Sequence, residues 1–487
     1  MERCWREHRS TADFFKAQGE KRAPAWKDAA TQGSSKGMLL YARSLQEGAG
    51  VAKDLAEAAK WFRKAAELGL PMGQYALGSC YVTGEGVGKD PVEAVRWFRK
   101  AAEAGYAEAM RSVGGCYANG VGVGRDPVEA VRWFRRAAEL ELPMGLHDLG
   151  MCYLIGVGVE KDPVEAVRWF RKAAELGNVE GIFKLGLCYD DGVGVAKDRV
   201  EAARLFRKAA EFDNAEAIHV LSARYLNGDG VPKDSAEGIK WLRKAVELGN
   251  ADAMHSMGAC YVNGVGVAKD TVEAVRLFLK AAQLGQTEAM RSLGACYFNG
   301  DGVPKDSVEA VKWFRKAADL GNAKAIHSMG TCYVNGVGVA KDPVEAVKWF
   351  RKAADLGNAE AMRNLGIHYA DGLGVATDPA EAVKWFRKAA DLGLPMAMAN
   401  LGKCYVLGIG VTKDTVEGLK WVRKAAELGE PYAMHLLGAS YLAGLGTPKD
   451  SSEAVLWLTK AAELGWAESR DILQRLHRTP LLPPCTN

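Results

Sequence analysis

Apolar residues recur along this chain in two alternating helical stripes. Within Gly105 to Leu140, the residues Met110, Val113, Gly114 and Tyr117 lie three or four positions apart, predicting a helix over Ala107–Asn119 with one buried face. Ala130, Trp133, Phe134 and Ala137 repeat that spacing, with Arg132, Arg135, Arg136 and Glu139 on the wetter side. A second helix, cap included, is predicted over Asp126–Leu140. We call the two helices A and B. Asn119-Gly120 suits a helix end that needs glycine at positive φ. Asp126, Pro127 and Glu129 suit a helix start. The aspartate oxygen accepts from otherwise unpaired backbone N–H groups, and Glu129 is expected to reach back toward the cap.

The pattern is periodic. Asp54, Asp90, Asp126, Asp162, Asp198, Asp234, Asp270, Asp306, Asp342, Asp378, Asp414 and Asp450 are spaced 36 residues apart without insertion or deletion. Two glycines, at the positions of Gly120 and Gly122, and a glutamate at the position of Glu129 recur in all twelve units. A small residue at Gly114 is expected to let two helix backbones approach closely. One two-helix unit cannot bury its apolar faces alone, but stacked units can. The expected fold is therefore all-α: a right-handed superhelical solenoid with one continuous core, a concave face and a convex face. Residues 1–33 are expected to form a leader and a degenerate capping helix carrying Trp26, Ala29, Ala30 and Gly33. Residues 34–465 are expected to form twelve repeats, and 466–487 a capping helix with a loose tail.

The run Ala107-x-Ala109, Val113-Gly114, Tyr117, Gly120-x-Gly122-Val123, then Asp126, Glu129-Ala130, Trp133-Phe134 and Ala137-Ala138 resembles the Sel1-like repeat. The resemblance implies a relative of the tetratricopeptide solenoids that serves as an adaptor or scaffold. Family members are tied to signalling, to protein quality control at the endoplasmic reticulum and to bacterial contacts with hosts. Some are associated with weak penicillin hydrolysis, which leaves a hydrolase as one alternative function. Departures from the pattern cluster at residues 198–234, where Leu205, Ser222 and Arg224 replace the usual tryptophan, glycine and cysteine.

Composition narrows the function classes. The net charge of +4 across 487 residues is too small for a general nucleic-acid or membrane-surface protein. An RNA-reading helical repeat is a third possibility, ranked below protein binding. No stretch reaches the ~18–20 apolar residues of a membrane helix. The N-terminal segment lacks the apolar core of a secretory signal, so the expected compartment is cytoplasmic.

Eight cysteines, Cys80, Cys116, Cys152, Cys188, Cys260, Cys296, Cys332 and Cys404, share one helix A column. Helix axes about 8–10 Å apart are too distant for disulfides along that column, so small buried hydrophobes are expected. The glycine loops follow helices rather than strands and lack the lysine-serine or lysine-threonine step of a phosphate loop. No nucleophile–base pair, metal-ligand motif or cofactor site stands out, and no enzymatic role is expected.

The partner, a protein or peptide, is expected on the concave helix A face. A polar column there holds Arg111, His147, His219, His255, Arg291, His327, Arg363 and His435, beside Asn364 and Asn400. Such groups suit an extended peptide backbone or an acidic group. If they act so, affinity for acidic peptides should rise between pH 7 and 6 as the imidazoles charge. A solvated helix face without a ligand explains the same column. No small-molecule substrate is expected, and the oligomeric state is open.

Overall fold

The structure, a computed structural model, describes residues 11–478, with side chains described for 18–476. The expected leader at 1–10 and the tail at 479–487, with Cys485, lie outside the described residues. Twenty-six helices and no strands occur among the described residues. They fall into two compact units, one ending at Leu248 and one beginning at Gly249. The first holds the helix Thr11–Thr31 and six A/B pairs; the second holds six pairs and the final helix Ala467–Arg478. Within each unit every helix B packs against its own helix A, and all but the last against the helix A that follows; the last helix B of the second unit packs against the final helix.

The sequence chemistry explains these elements. Asp126 adopts an extended conformation, and its Oδ1 accepts from the N–H groups of Val128 and Glu129, both at 3.0 Å. Glu129 does not reach back to the cap. The Asp126 N–H already donates to the Tyr117 carbonyl at 2.9 Å, so the glutamate instead accepts from Arg132 at 3.0 Å. This backbone tie recurs in all twelve repeats, from Asp54 to Leu45 through Asp450 to Tyr441. It closes the A–B loop into a ring of fixed length.

The second loop glycine sets how repeats stack. Gly122 has φ +71°, and a Cβ built there would lie 2.0 Å from the carbonyl oxygen of Pro91 in the preceding repeat. The loop therefore rests directly on the start of the neighbouring helix B. The first repeat uses the same device against the N-terminal helix: a Cβ on Gly50 would lie 2.2 Å from the Gly19 carbonyl oxygen. Residues 19–31 of that helix thus occupy the place of a helix B, with Ala30 buried and Trp26 packed on the first core cluster.

Gly114 faces a different neighbour. A Cβ there would lie 2.6 Å from the Phe134 ring and 3.2 Å from the Ala130 carbonyl oxygen. The bare backbone therefore lets a buried phenylalanine lie flat against helix A. The irregular sixth repeat has Ser222 in this column, and its helix B carries Leu242 where nine of the twelve repeats have phenylalanine and Gly238 where ten have alanine. Trp133 and Ala137 share a buried cluster with Phe98, Met110 and Val113, so each helix B links two successive repeats.

The cysteine column is buried except for Cys152, which is half-buried, and none of its eight members forms a disulfide. Burial pushes several of these thiols, Cys188 and Cys332 among them, up to about 11. They act as small hydrophobes between helices.

Candidate functional site

The outward face of helix A begins where the core stripe ends. All ten residues singled out on it are half-buried. The helical register does bring them onto one face of each unit. The side chains of Arg111, His255, His327, Asn364 and His435, however, are engaged with neighbouring repeats rather than pointing freely outward.

Arg111 Nε donates to Asp148 Oδ2 at 2.6 Å, and Asp148 Oδ1 also lies 3.0 Å from His147 Nδ1. His255 Nε2 lies 3.1 Å from Ser292 Oγ. The Asn364 carboxamide lies 2.9 Å from His327 Nε2. Three of these bonds, Arg111 to Asp148, His255 to Ser292 and His327 to Asn364, join a column residue to the residue 37 positions later and so stitch successive A helices together. His435 is held by Ser469 of the final helix at 2.9 Å. Arg291 donates to Glu288 at 2.6 Å, and Lys324 lies 3.3 Å from the same carboxylate. Asn400 is half-buried, and the His219 backbone carbonyl accepts from Ser222. Arg363 Nε is buried without a partner, and its Nη1 reaches the Asn364 side chain only at 3.5 Å.

Helix B supplies a floor beneath this column. The His147, His255 and His327 rings pack on Phe170, Phe278 and Phe350, with centroids 5.9, 5.5 and 5.6 Å apart. His368 also packs on Phe350, edge to face at 5.3 Å, and its Nδ1 lies 2.8 Å from the Asn364 carbonyl oxygen. The phenylalanine floor was missed in the sequence, although phenylalanine follows these histidines by 23 residues. So were Asp148 and Glu288, which lie one position beyond and three before the column, whereas Ser292 belongs to the polar run expected beside it.

Burial, with Arg363 nearby and Glu360 opposing, holds His327 below the ordinary imidazole range; burial does the same to His435. The expected gain of positive charge between pH 7 and 6 is therefore moved to lower pH at these two rings. The unfolded chain binds their protons more readily than the folded one. Stability present above about pH 6.5 is thus lost as pH falls through the folded values. The urea midpoint should drop between pH 7 and 5, and the double variant His327→Gln/His435→Gln should show a shallower drop. Identical pH slopes would sink this assignment.

A cleft of about 360 Å³ opens between the A helices of the second and third repeats. Its walls include Ser79, Val82, Thr83, Ser112, Gly115 and Asn119. A Cβ on Gly115 would meet no atom within 4 Å, so the cleft is open above it. Among the described residues, no group of three or more metal-ligating side chains comes together, and no helix is long and apolar enough to cross a membrane.

The family pattern of the Sel1 repeat matches twelve successive stretches, from 35–70 to 431–466, the fifth being the shortened 179–211. None of the curated proteins matches the chain. A protective antigen of uropathogenic Escherichia coli, described as displaying an SLR fold, is 33% identical over 96% of this chain and 99% of its own, with a TM-score of 0.62. A Sel1 repeat protein from Oxalobacter formigenes is 32% identical over 62% of this chain and 87% of its own, with a TM-score of 0.47.

Proposed function

Because the chain belongs to the Sel1 repeat family, whose solenoid fold is typical of protein-interaction scaffolds, we propose that it binds a partner protein or peptide along the helix A face. The observation that carries this reading is the open cleft between adjacent A helices, lined by Val82, Phe98 and Val121 together with the hydroxyl and carboxamide groups of Ser79, Thr83, Ser112 and Asn119. Such groups both donate and accept, which suits the exposed backbone of an extended segment. The polar column continues the same chemistry along the second unit, through Ser328, Asn364 and Asn400. The histidines of that column serve mainly to join repeats. The arginines Arg111, Arg291 and Arg363 carry its permanent positive charge.

Gly115→Glu tests the cleft. The new side chain enters open space, and glycine is a poor helix former, so the fold should be retained. Partners recovered from native-cell extract should fall at least tenfold with Gly115→Glu, or with Arg291→Ala/Arg363→Ala, at an unchanged circular dichroism spectrum. Capture of the same proteins in the same amounts by the wild type and both variants would remove the helix A face as the binding surface.

A further inference from the structure

A second surface lies on helix B, away from the helix A face. In the first unit a cleft of about 470 Å³ opens between helix B of the second repeat, Pro91–Glu103, and the loop of the third. Its walls include Val92, Trp97, Arg99, Lys100 and Val123. Two repeats on, a cleft of about 460 Å³ is lined by the equivalent Trp169, Arg171 and Lys172. The third repeat carries Trp133, Arg135 and Arg136 at the same positions.

The charges of these three helices do not cancel. Each helix carries three cations and two carboxylates. The first-turn glutamates pair with the cations three residues on: Glu93 with Arg96, Glu129 with Arg132 and Glu165 with Arg168. That leaves one acid in the last turn, Glu103, Glu139 or Glu175, to serve the two remaining cations of its own helix. The facing loop adds Gly122 and Val123 to the first cleft, and no acid. One positive charge per helix is therefore in excess.

A neutral group holds the arginine of each remaining pair in place. Arg99 donates to the Tyr117 hydroxyl of the next repeat, Arg135 to Tyr153 at 2.6 Å and Arg171 to Tyr189 at 3.1 Å. A phenol fixes the guanidinium without neutralising it and leaves most of its five N–H donors unspent. All three arginines remain exposed. A side chain ordered before binding loses less entropy when it takes a ligand. Val92, which lines the first cleft, and its equivalents Val128 and Val164 are each 50–53% exposed.

We propose that this face of helix B docks an acidic segment of a partner protein, with carboxylates on the tyrosine-held Arg99, Arg135 and Arg171 and apolar side chains against the valines. The guanidinium fork matches a carboxylate. A single nucleic-acid strand also carries anions, but such strands bind through bases stacked on open aromatic faces. Here the tryptophan rings are covered by cations of their own helices: Lys100, Arg136 and Lys172 lie 4.2, 4.3 and 4.8 Å from the ring centroids. An excess of one charge per helix also suits spaced carboxylates better than a continuous polyanion.

The test uses the full chain and a fluorescein-labelled synthetic peptide of glutamates interspersed with leucines, read by fluorescence anisotropy. A labelled oligodeoxythymidylate of equal charge is the control. Arg99→Gln/Arg135→Gln/Arg171→Gln should weaken peptide binding at least tenfold and flatten its salt dependence. Tyr117→Phe/Tyr153→Phe/Tyr189→Phe keeps every charge but frees the guanidiniums, and should cost about threefold. Val92→Ser/Val128→Ser/Val164→Ser alters exposed positions only, so the fold is retained, and should also cost at least threefold. No binding by the wild type, or a change below twofold in any of the three variants, would overturn the proposal. Tighter binding of the oligonucleotide than of the peptide would assign the face to nucleic acid. Loss of peptide binding with Arg111→Gln/Arg291→Gln/Arg363→Gln, but not with the helix B variants, would place the peptide on the helix A face. Either result would overturn the proposal equally.

Discussion

Replacing Gly122 by alanine should destabilise the chain by about 3 kcal/mol, combining a left-handed backbone with overpacking against a backbone carbonyl. The added methyl would lie 2.0 Å from the Pro91 oxygen, at φ +71°. Neither partner is the end of a flexible side chain, so relief requires the third repeat to shift from the second. The expected signature in urea is a lower midpoint with a broader transition, because unfolding of a repeat array loses cooperativity when one junction weakens. Gly124→Ala, two residues on, is the control. No atom lies within 4 Å of its Cβ position, and its backbone is not in the left-handed region, so its midpoint should stay within about 0.5 kcal/mol of wild type. Equal effects of the two substitutions would show that the close approach is not what joins the repeats.

Phe350→Ala should cost about 3–5 kcal/mol, the range for emptying a fully buried aromatic site. Phe350 is 1% exposed and lies between His327 and His368, at 5.6 and 5.3 Å. Its ring also fills the space above Gly330, where a Cβ would lie 2.6 Å away. Removing it should admit water beside His327 and return that imidazole toward its ordinary pKa, an upward shift that an NMR titration of the ring protons would follow. Phe350→Leu, which keeps most of the volume, should cost less and shift the titration less. A large stability loss with an unmoved His327 pKa would mean that another neighbour desolvates the ring.

The repeat was legible because each signal is local. Asp126 before Pro127, glycine at 120 and 122 and the Trp133–Phe134 pair announce helix ends and faces within one 36-residue window. The capping role assigned to Glu129 was misread for want of a contact nine residues long: no local rule indicates that the cap N–H is taken by the Tyr117 carbonyl. The helix A column was visible as composition, but not its bonding. Arg111 to Asp148 and His327 to Asn364 connect successive repeats, and only their stacking shows that these groups serve one another first. The leucines that end helix B, such as Leu320 and Leu356, are exposed, and their exposure stayed hidden for the opposite reason. A leucine at a helix end reads as part of the apolar stripe until its exposure is known.

The backbone tie from each cap aspartate to the end of its helix A bears on how such a chain can change length. An inserted or deleted residue inside the loop breaks a ring that all twelve repeats close. Loss or gain of one whole 36-residue unit leaves every ring intact and puts a like surface against a like surface. Recombination between near-identical stretches of coding sequence supplies such changes. Copy number is therefore the coordinate along which this architecture evolves most readily. A shortened or lengthened descendant would keep its chemistry per rung while altering how many rungs a partner can span.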